Sequence, residues 1–152
     1  FRAGVAFWGH MGVEADVRQL SEADHQVLSE AIALHKHHRK LIHGGSYQVV
    51  DRPAGEQAWM VLATDHSEAL AALAMLETPS TPFPNRYRFI GLDADRHYEL
   101  KLVWPADLRR LQKNHTDALT DTHWSGDWLM SVGLSLPILQ PESLLIYHLK
   151  AL

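Results

Sequence analysis

Trp8-Gly9-His10-Met11-Gly12 is the stretch of this chain best equipped to hold a ligand. An aromatic ring stacks on the apolar face of a sugar, glycines let backbone approach closely, and a neutral imidazole both donates and accepts hydrogen bonds. Trp8, Gly9, His10 and Gly12 are therefore the candidate substrate-binding residues. For His10 the residue type leaves a packed loop histidine open as well. Glu14 and Asp16 follow at once, two carboxylates of the kind that an acid/base pair requires. Their place in the loop suits a plainer role, bonding to backbone amides or to Arg18, and no catalytic residue is assigned.

Other constellations invite chemistry and weaken on inspection. In the run of His35, His37 and His38, the consecutive and i,i+2 positions point apart on a helix, and the HExxH spacing of a zinc site is absent. A solvated basic helix end accounts for the run, and no metal or other cofactor is expected. His123, Ser125 and Asp127 are neighbours in sequence, which says nothing of triad geometry, and no Gly-x-Ser-x-Gly elbow accompanies them. Trp59, Trp104, Trp124 and Trp128 suit either a sugar-binding platform or the core of a small β domain, and core is the commoner use.

The elements that must position these residues change character near Gly44-Gly45. All seven prolines follow that point, and six of the eleven histidines precede it. Val5-Ala6-Phe7-Trp8 reads as a short strand buried on both faces. Ser21 is a helix N-cap, with Glu22 and Asp24 in the first turn. The helix is expected over Glu22 to His43, burying Val27, Leu28, Ala31, Ile32, His35 and Ile42, with Gly44 as a left-handed stop. Beyond Ser46 the pattern shortens. A hairpin is expected from Tyr47–Val50 and Ala58–Thr64, a strand from Glu68 to Leu76 despite its helix-favouring Ala and Leu, and a proline-rich loop from Thr78 to Asn85. Arg86–Ile90, His97–Val103 and Ser143–Leu149 complete the strands, with one helical turn near Trp124–Met130. The fold class is mainly β: an antiparallel β-sandwich over residues 46–152, preceded by a single βα unit over residues 1–45.

Composition narrows the field. With 152 residues and 46% hydrophobic side chains, the chain can bury one ordinary core. A net charge of -4 offers no broad positive field, so neither nucleic acid nor an anionic membrane surface is an expected partner. No run reaches the roughly 18 apolar residues of a membrane helix. The lack of cysteine suits a reducing compartment, and the cytoplasm is the expected location. Opening at Phe1 inside an apolar run, the chain reads as cut from something longer.

Four stretches carry a family resemblance. Arg2 to Val17 with Leu20-Ser21-Glu22, and then Ile32–Lys36 with Leu41–Gly45, resemble the eighth strand, loop and helix of the catalytic barrel in family 36 α-galactosidases. Ile90-Gly91-Leu92-Asp93 with Tyr98, and Ser125 to Leu134, resemble that family's C-terminal β domain. The resemblance implies that residues 1–45 are the last strand and helix of an incomplete (β/α)8 barrel. It implies a parent that hydrolyses terminal α-linked galactose from melibiose- or raffinose-type oligosaccharides with retention, using two carboxylates roughly 5 to 5.5 Å apart. The family takes both, as aspartates, from earlier barrel strands, and nothing here matches them, so the chain by itself should be inactive. Its implied partners are a galactosyl oligosaccharide and the missing N-terminal barrel, with a homo-oligomer left open. The rival reading is a stand-alone β-sandwich that binds carbohydrate or serves a structural, oligomerising role.

Overall fold

The computed structural model describes residues 1–14, 16–78, 84–105 and 122–152. Helix α1 (Arg2–Ala6) leads through a loop and a 3-10 turn (Val17–Gln19) into the long helix α2 (Glu22–Gly44). Strands β1 (Ser46–Val50), β2 (Glu56–Leu62), β3 (Glu68–Met75), β4 (His97–Trp104) and β5 (Thr122–Ser125) follow, then helix α3 (Gly126–Ser131) and strand β6 (Ser143–Ala151). The strands form one antiparallel sheet in the order β1-β2-β3-β6-β4-β5, so the last strand enters between β3 and β4.

The mainly-β, antiparallel reading holds. The Ala/Leu run of β3 is a strand because it lies at the centre of the sheet with both faces covered, where small and branched side chains pack and helix propensity is overridden. On one face Met60, Leu73, Tyr98, Leu100, Leu145 and Tyr147 pack beneath Tyr87, Phe89, Leu129, Leu134 and Leu139. That second layer is irregular. Arg86–Ile90, expected as a strand, makes a single bridge, Tyr87 N–H to Leu134 O at 3.0 Å and Leu134 N–H back to Tyr87 O at 2.9 Å. On the other face Val61, Leu70, Leu144, Ile146 and Trp104 meet Phe7, Ala31, Leu41 and Ile42 of the helical segment. Of the expected proline loop, residues 79–83 lie outside the described residues.

The first segment differs from the strand expected at Val5–Trp8. Among the described residues no parallel neighbour pairs with it, and a strand without neighbours leaves its N–H and C=O groups unbonded. A helical turn satisfies them locally instead: Val5 N–H donates to Phe1 O at 3.1 Å and Phe7 N–H to Ala3 O at 3.0 Å. The segment is thus an αα unit laid on a sheet rather than a βα unit.

Helix α2 starts where expected, with Ser21 Oγ accepting from Asp24 N–H at 3.2 Å. Its buried face meets the expected one at Ala31 and Ile42 but is turned to take in His38 and Leu41, whereas Val27 is 48% exposed and Leu28, Ile32 and His35 are only half-buried. Gly44 remains within the helix, and the stop at Gly45 is extended rather than left-handed, with φ -84°. Gly45 is needed for space, since a Cβ there would stand 2.6 Å from Val61 Cγ1 and 2.8 Å from both Leu41 O and Leu62 O. No helix among the described residues is long and apolar enough to cross a membrane.

Candidate functional site

The loop that leaves α1 is fastened at its start. His35 Nδ1 of α2 donates to Phe7 O at 2.9 Å, and Phe7, fully buried, meets Trp8 and His35 edge-on at 5.3 and 5.9 Å. Trp8 is half-buried, edge-on to Trp59 of β2 at 5.7 Å. The indole Nε1 atoms of both tryptophans are buried and have no acceptor among the described residues. A buried donor without an acceptor costs about 1 to 3 kcal/mol, so this pair is a place where a further polar group would be welcome. Met11 turns back against the same core.

The remaining loop residues face outward. His10 is exposed and stacks on His43 of α2, with ring centroids 4.8 Å apart and planes at 22°. Gly9 and Gly12 are exposed, and a Cβ at either would meet nothing within 4 Å. The four predicted residues thus lie along one short loop, with Trp8 anchored and Gly9, His10 and Gly12 presented to its surroundings. Asp16 ends the loop as the cap of the 3-10 turn. It accepts from Arg18 N–H at 3.1 Å and from the Arg18 guanidinium at 2.8 and 3.0 Å, bonds that hold its carboxyl below the usual range. This is the plainer role expected of it.

The other sequence constellations resolve into structure. Ser125 Oγ accepts from Trp128 N–H at 3.2 Å and caps α3, so it is occupied as a cap rather than as a nucleophile. Trp104 is core; Trp124 and Trp128 are half-buried, stacked on one another at 4.1 Å and packed on the sheet. A surface groove lined by Asp51, Arg52, Asn85, Arg86 and Arg88 is rich in cations. Its innermost guanidinium is already used, with Arg52 paired to Glu56 and donating to Arg86 O at 2.7 Å and Asn85 O at 3.2 Å.

The basic run of α2 is not uniformly solvated, and sequence reasoning missed the reason. His38 is 3% exposed, and its ring lies 4.7 Å from that of His148 on β6. Glu68, the first residue of β3, accepts from His148 Nε2 at 2.7 Å, and its same Oε1 is 3.8 Å from His38 Nδ1. The register explains the meeting. Leu70 pairs with His148 and Glu68 with Lys150, so Glu68 and His148 are diagonal neighbours on the face that α2 covers. Burial, with the charges of His148 and His37 nearby, brings the His38 pKa down to about 4, against a smaller opposing pull from Glu68.

Comparison with known proteins adds the wider setting. A family model described as the glycosyl hydrolase family 36 C-terminal domain matches residues 56–149. An α-galactosidase of Escherichia coli is 30% identical over 158 residues, covering 99% of this chain and 22% of that protein. The crystal structure of α-galactosidase AgaA from Geobacillus stearothermophilus matches with TM-score 0.80 and 28% identity, over 99% of this chain and 19% of that one. The Lactobacillus brevis α-galactosidase structure, at 22% identity and TM-score 0.79, shares the fold over 99% of this chain and 20% of its own. The chain therefore spans about a fifth of the length of the relatives it matches.

Proposed function

This chain belongs to the glycosyl hydrolase family 36 C-terminal domain family, and from that premise we propose that it closes an α-galactosidase that removes terminal α-linked galactose from oligosaccharides with retention. The observation that carries the proposal is the continuous match of almost the whole chain, helical segment and sheet together, to α-galactosidases in both sequence and backbone. AgaA itself, as a variant, has been crystallised with raffinose.

Residues 1–45 then belong with the catalytic barrel and residues 46–152 form the β domain that buttresses it. Exposed apolar side chains on the helical segment support this division: Phe1, Val5, Val17 and Val27 are each more than 40% exposed and suit burial by a neighbouring domain. Within the longer enzyme the loop bearing Trp8, Gly9, His10 and Gly12 lies at the rim of the sugar site. Trp8 supplies an aromatic face and an unpaired N–H, and His10 a hydrogen-bonding edge. The nucleophile and the acid/base come from outside this chain.

Hydrolysis of 4-nitrophenyl α-galactoside tests the assignment. The 152-residue chain alone is expected to show no turnover, and a protein of the relatives' full length containing it is expected to be active. In that longer enzyme Trp8→Ala should raise KM more than it lowers kcat, as loss of ground-state sugar stacking would. Turnover by the isolated chain, or none by the longer protein, defeats the assignment.

A further inference from the structure

His38, Glu68 and His148 come from α2, β3 and β6, and their ligating atoms all lie within 4.8 Å of one another. We propose that they bind a divalent zinc-class metal ion, which fastens α2 to the central strands of the sheet. Two imidazoles and one carboxylate are the donor set of three-ligand zinc sites, which keep a fourth position for water. Bonds of roughly 2.0 to 2.1 Å in tetrahedral geometry put ligand atoms about 3.3 Å apart. The observed 2.7 Å from His148 Nε2 and 3.8 Å from His38 Nδ1, both to Glu68 Oε1, bracket that spacing. With no separation in the set above 4.8 Å, side-chain adjustments of up to about 1.5 Å close it around an ion.

Three further features point the same way. His38 is buried as a residue, and its Nδ1 faces Glu68 Oε1 at 3.8 Å, beyond hydrogen-bond distance, so this nitrogen is not committed to the carboxylate. In the tautomer protonated on Nε2, Nδ1 presents a lone pair toward the space beside Glu68. An entry path exists, because the Glu68 side chain is 38% exposed and that of His148 15%. For His148 to ligate through Nε2, that nitrogen must present its lone pair and Nδ1 carry the ring proton, while Glu68 supplies the one negative charge of the ligand set. Sequence spacing conceals the site, since no two ligands share an element.

The test is calorimetric titration of the chelator-stripped 152-residue chain with zinc chloride. One equivalent should bind, and zinc a hundredfold above its Kd should raise the Tm by roughly 5 to 10 °C. Glu68→Gln, which keeps size and shape, and His148→Ala should each weaken binding by roughly 100-fold. Circular dichroism of each variant confirms that it still folds. His43→Ala, which removes half of the exposed His10–His43 stack, should leave the affinity unchanged. Cobalt(II) should give the visible absorption of a tetrahedral site, lost in Glu68→Gln. Absence of binding overturns the proposal, as does zinc affinity unaltered in folded Glu68→Gln or lost in His43→Ala.

Discussion

Truncating Phe7 to alanine tests whether the helical segment is part of one folded unit with the sheet. The Phe7 ring is 1% exposed and shares a cluster with Ala31, Leu41, Ile42, Leu144 and Ile146, so it joins α1, α2 and β6. Removing a buried phenylalanine side chain forfeits its transfer free energy and leaves a cavity, together about 3 to 5 kcal/mol. The segment lies at the chain's start and can partly collapse into the space, which favours the lower end, about 3 kcal/mol. With a urea m-value of about 2 kcal/mol/M, the unfolding midpoint should fall by about 1.5 M. Val27→Ala is the matched control. Val27 sits on the helix face that periodicity selects, yet it is 48% exposed, so its truncation should change stability by no more than about 0.5 kcal/mol. Urea unfolding followed by far-ultraviolet circular dichroism gives both numbers. If Phe7→Ala costs under about 1 kcal/mol, or no more than Val27→Ala, the helical segment is not docked on the sheet as described.

Three more outcomes follow from local geometry. Gly45→Ala should lower the Tm by several degrees, because its Cβ meets Val61 and two carbonyls, at a cost of about 1 to 3 kcal/mol; Gly44→Ala, in open space within the helix, should raise stability by about 0.5 to 1 kcal/mol. Ser125→Ala should cost about 1 kcal/mol by uncapping α3 and leave any activity of the longer enzyme unchanged, as thermal melts and the galactoside assay would report. In the metal-free chain, His38 stays neutral down to about pH 4 while in the unfolded chain it takes up a proton near 6.5. The unfolded state therefore binds more protons between those values, and stability is lost as pH falls from about 6.5 toward 4. The gap caps the loss near 3 kcal/mol, and partial access of solvent past Glu68 reduces it to about 1 to 2 kcal/mol. Urea midpoints measured in chelator across that range should fall by this amount relative to His38→Gln.

What the sequence reveals depends on whether a residue's partners are local. Ser21 announces the start of α2 because a cap bonds three residues ahead, and Glu68–Met75 reads as strand because turns bound it on both sides. Val5–Trp8 misleads for the opposite reason. A run of four apolar residues fits a buried strand or a helical turn equally well, and only the presence or absence of pairing neighbours decides. Periodicity likewise predicted that α2 has a buried face and placed Ala31 and Ile42 on it, but turned the rest of that face away from the sheet. His38 ranks as polar in any pattern, while the face that meets the sheet runs through Ala31, His38 and Leu41, with Leu34 packed against the same core.

The same logic separates the two constellations of histidine. The loop around Trp8 is legible because its residues are adjacent in the chain, and their spacing alone places them on one turn of backbone. The His38, Glu68, His148 meeting is set by the entry of β6 beside β3 and by the angle at which α2 crosses them, neither of which a sequence pattern encodes. Both nevertheless depend on the one apolar layer between α2 and the sheet. Phe7 anchors the loop on one side of that layer, through its carbonyl to His35, and its ring stands edge-on to His38 at 6.4 Å on the other. A change that loosens the layer must therefore disturb the loop and the histidine cluster together. A change confined to the exposed tip, at Gly9 or Gly12, should reach neither.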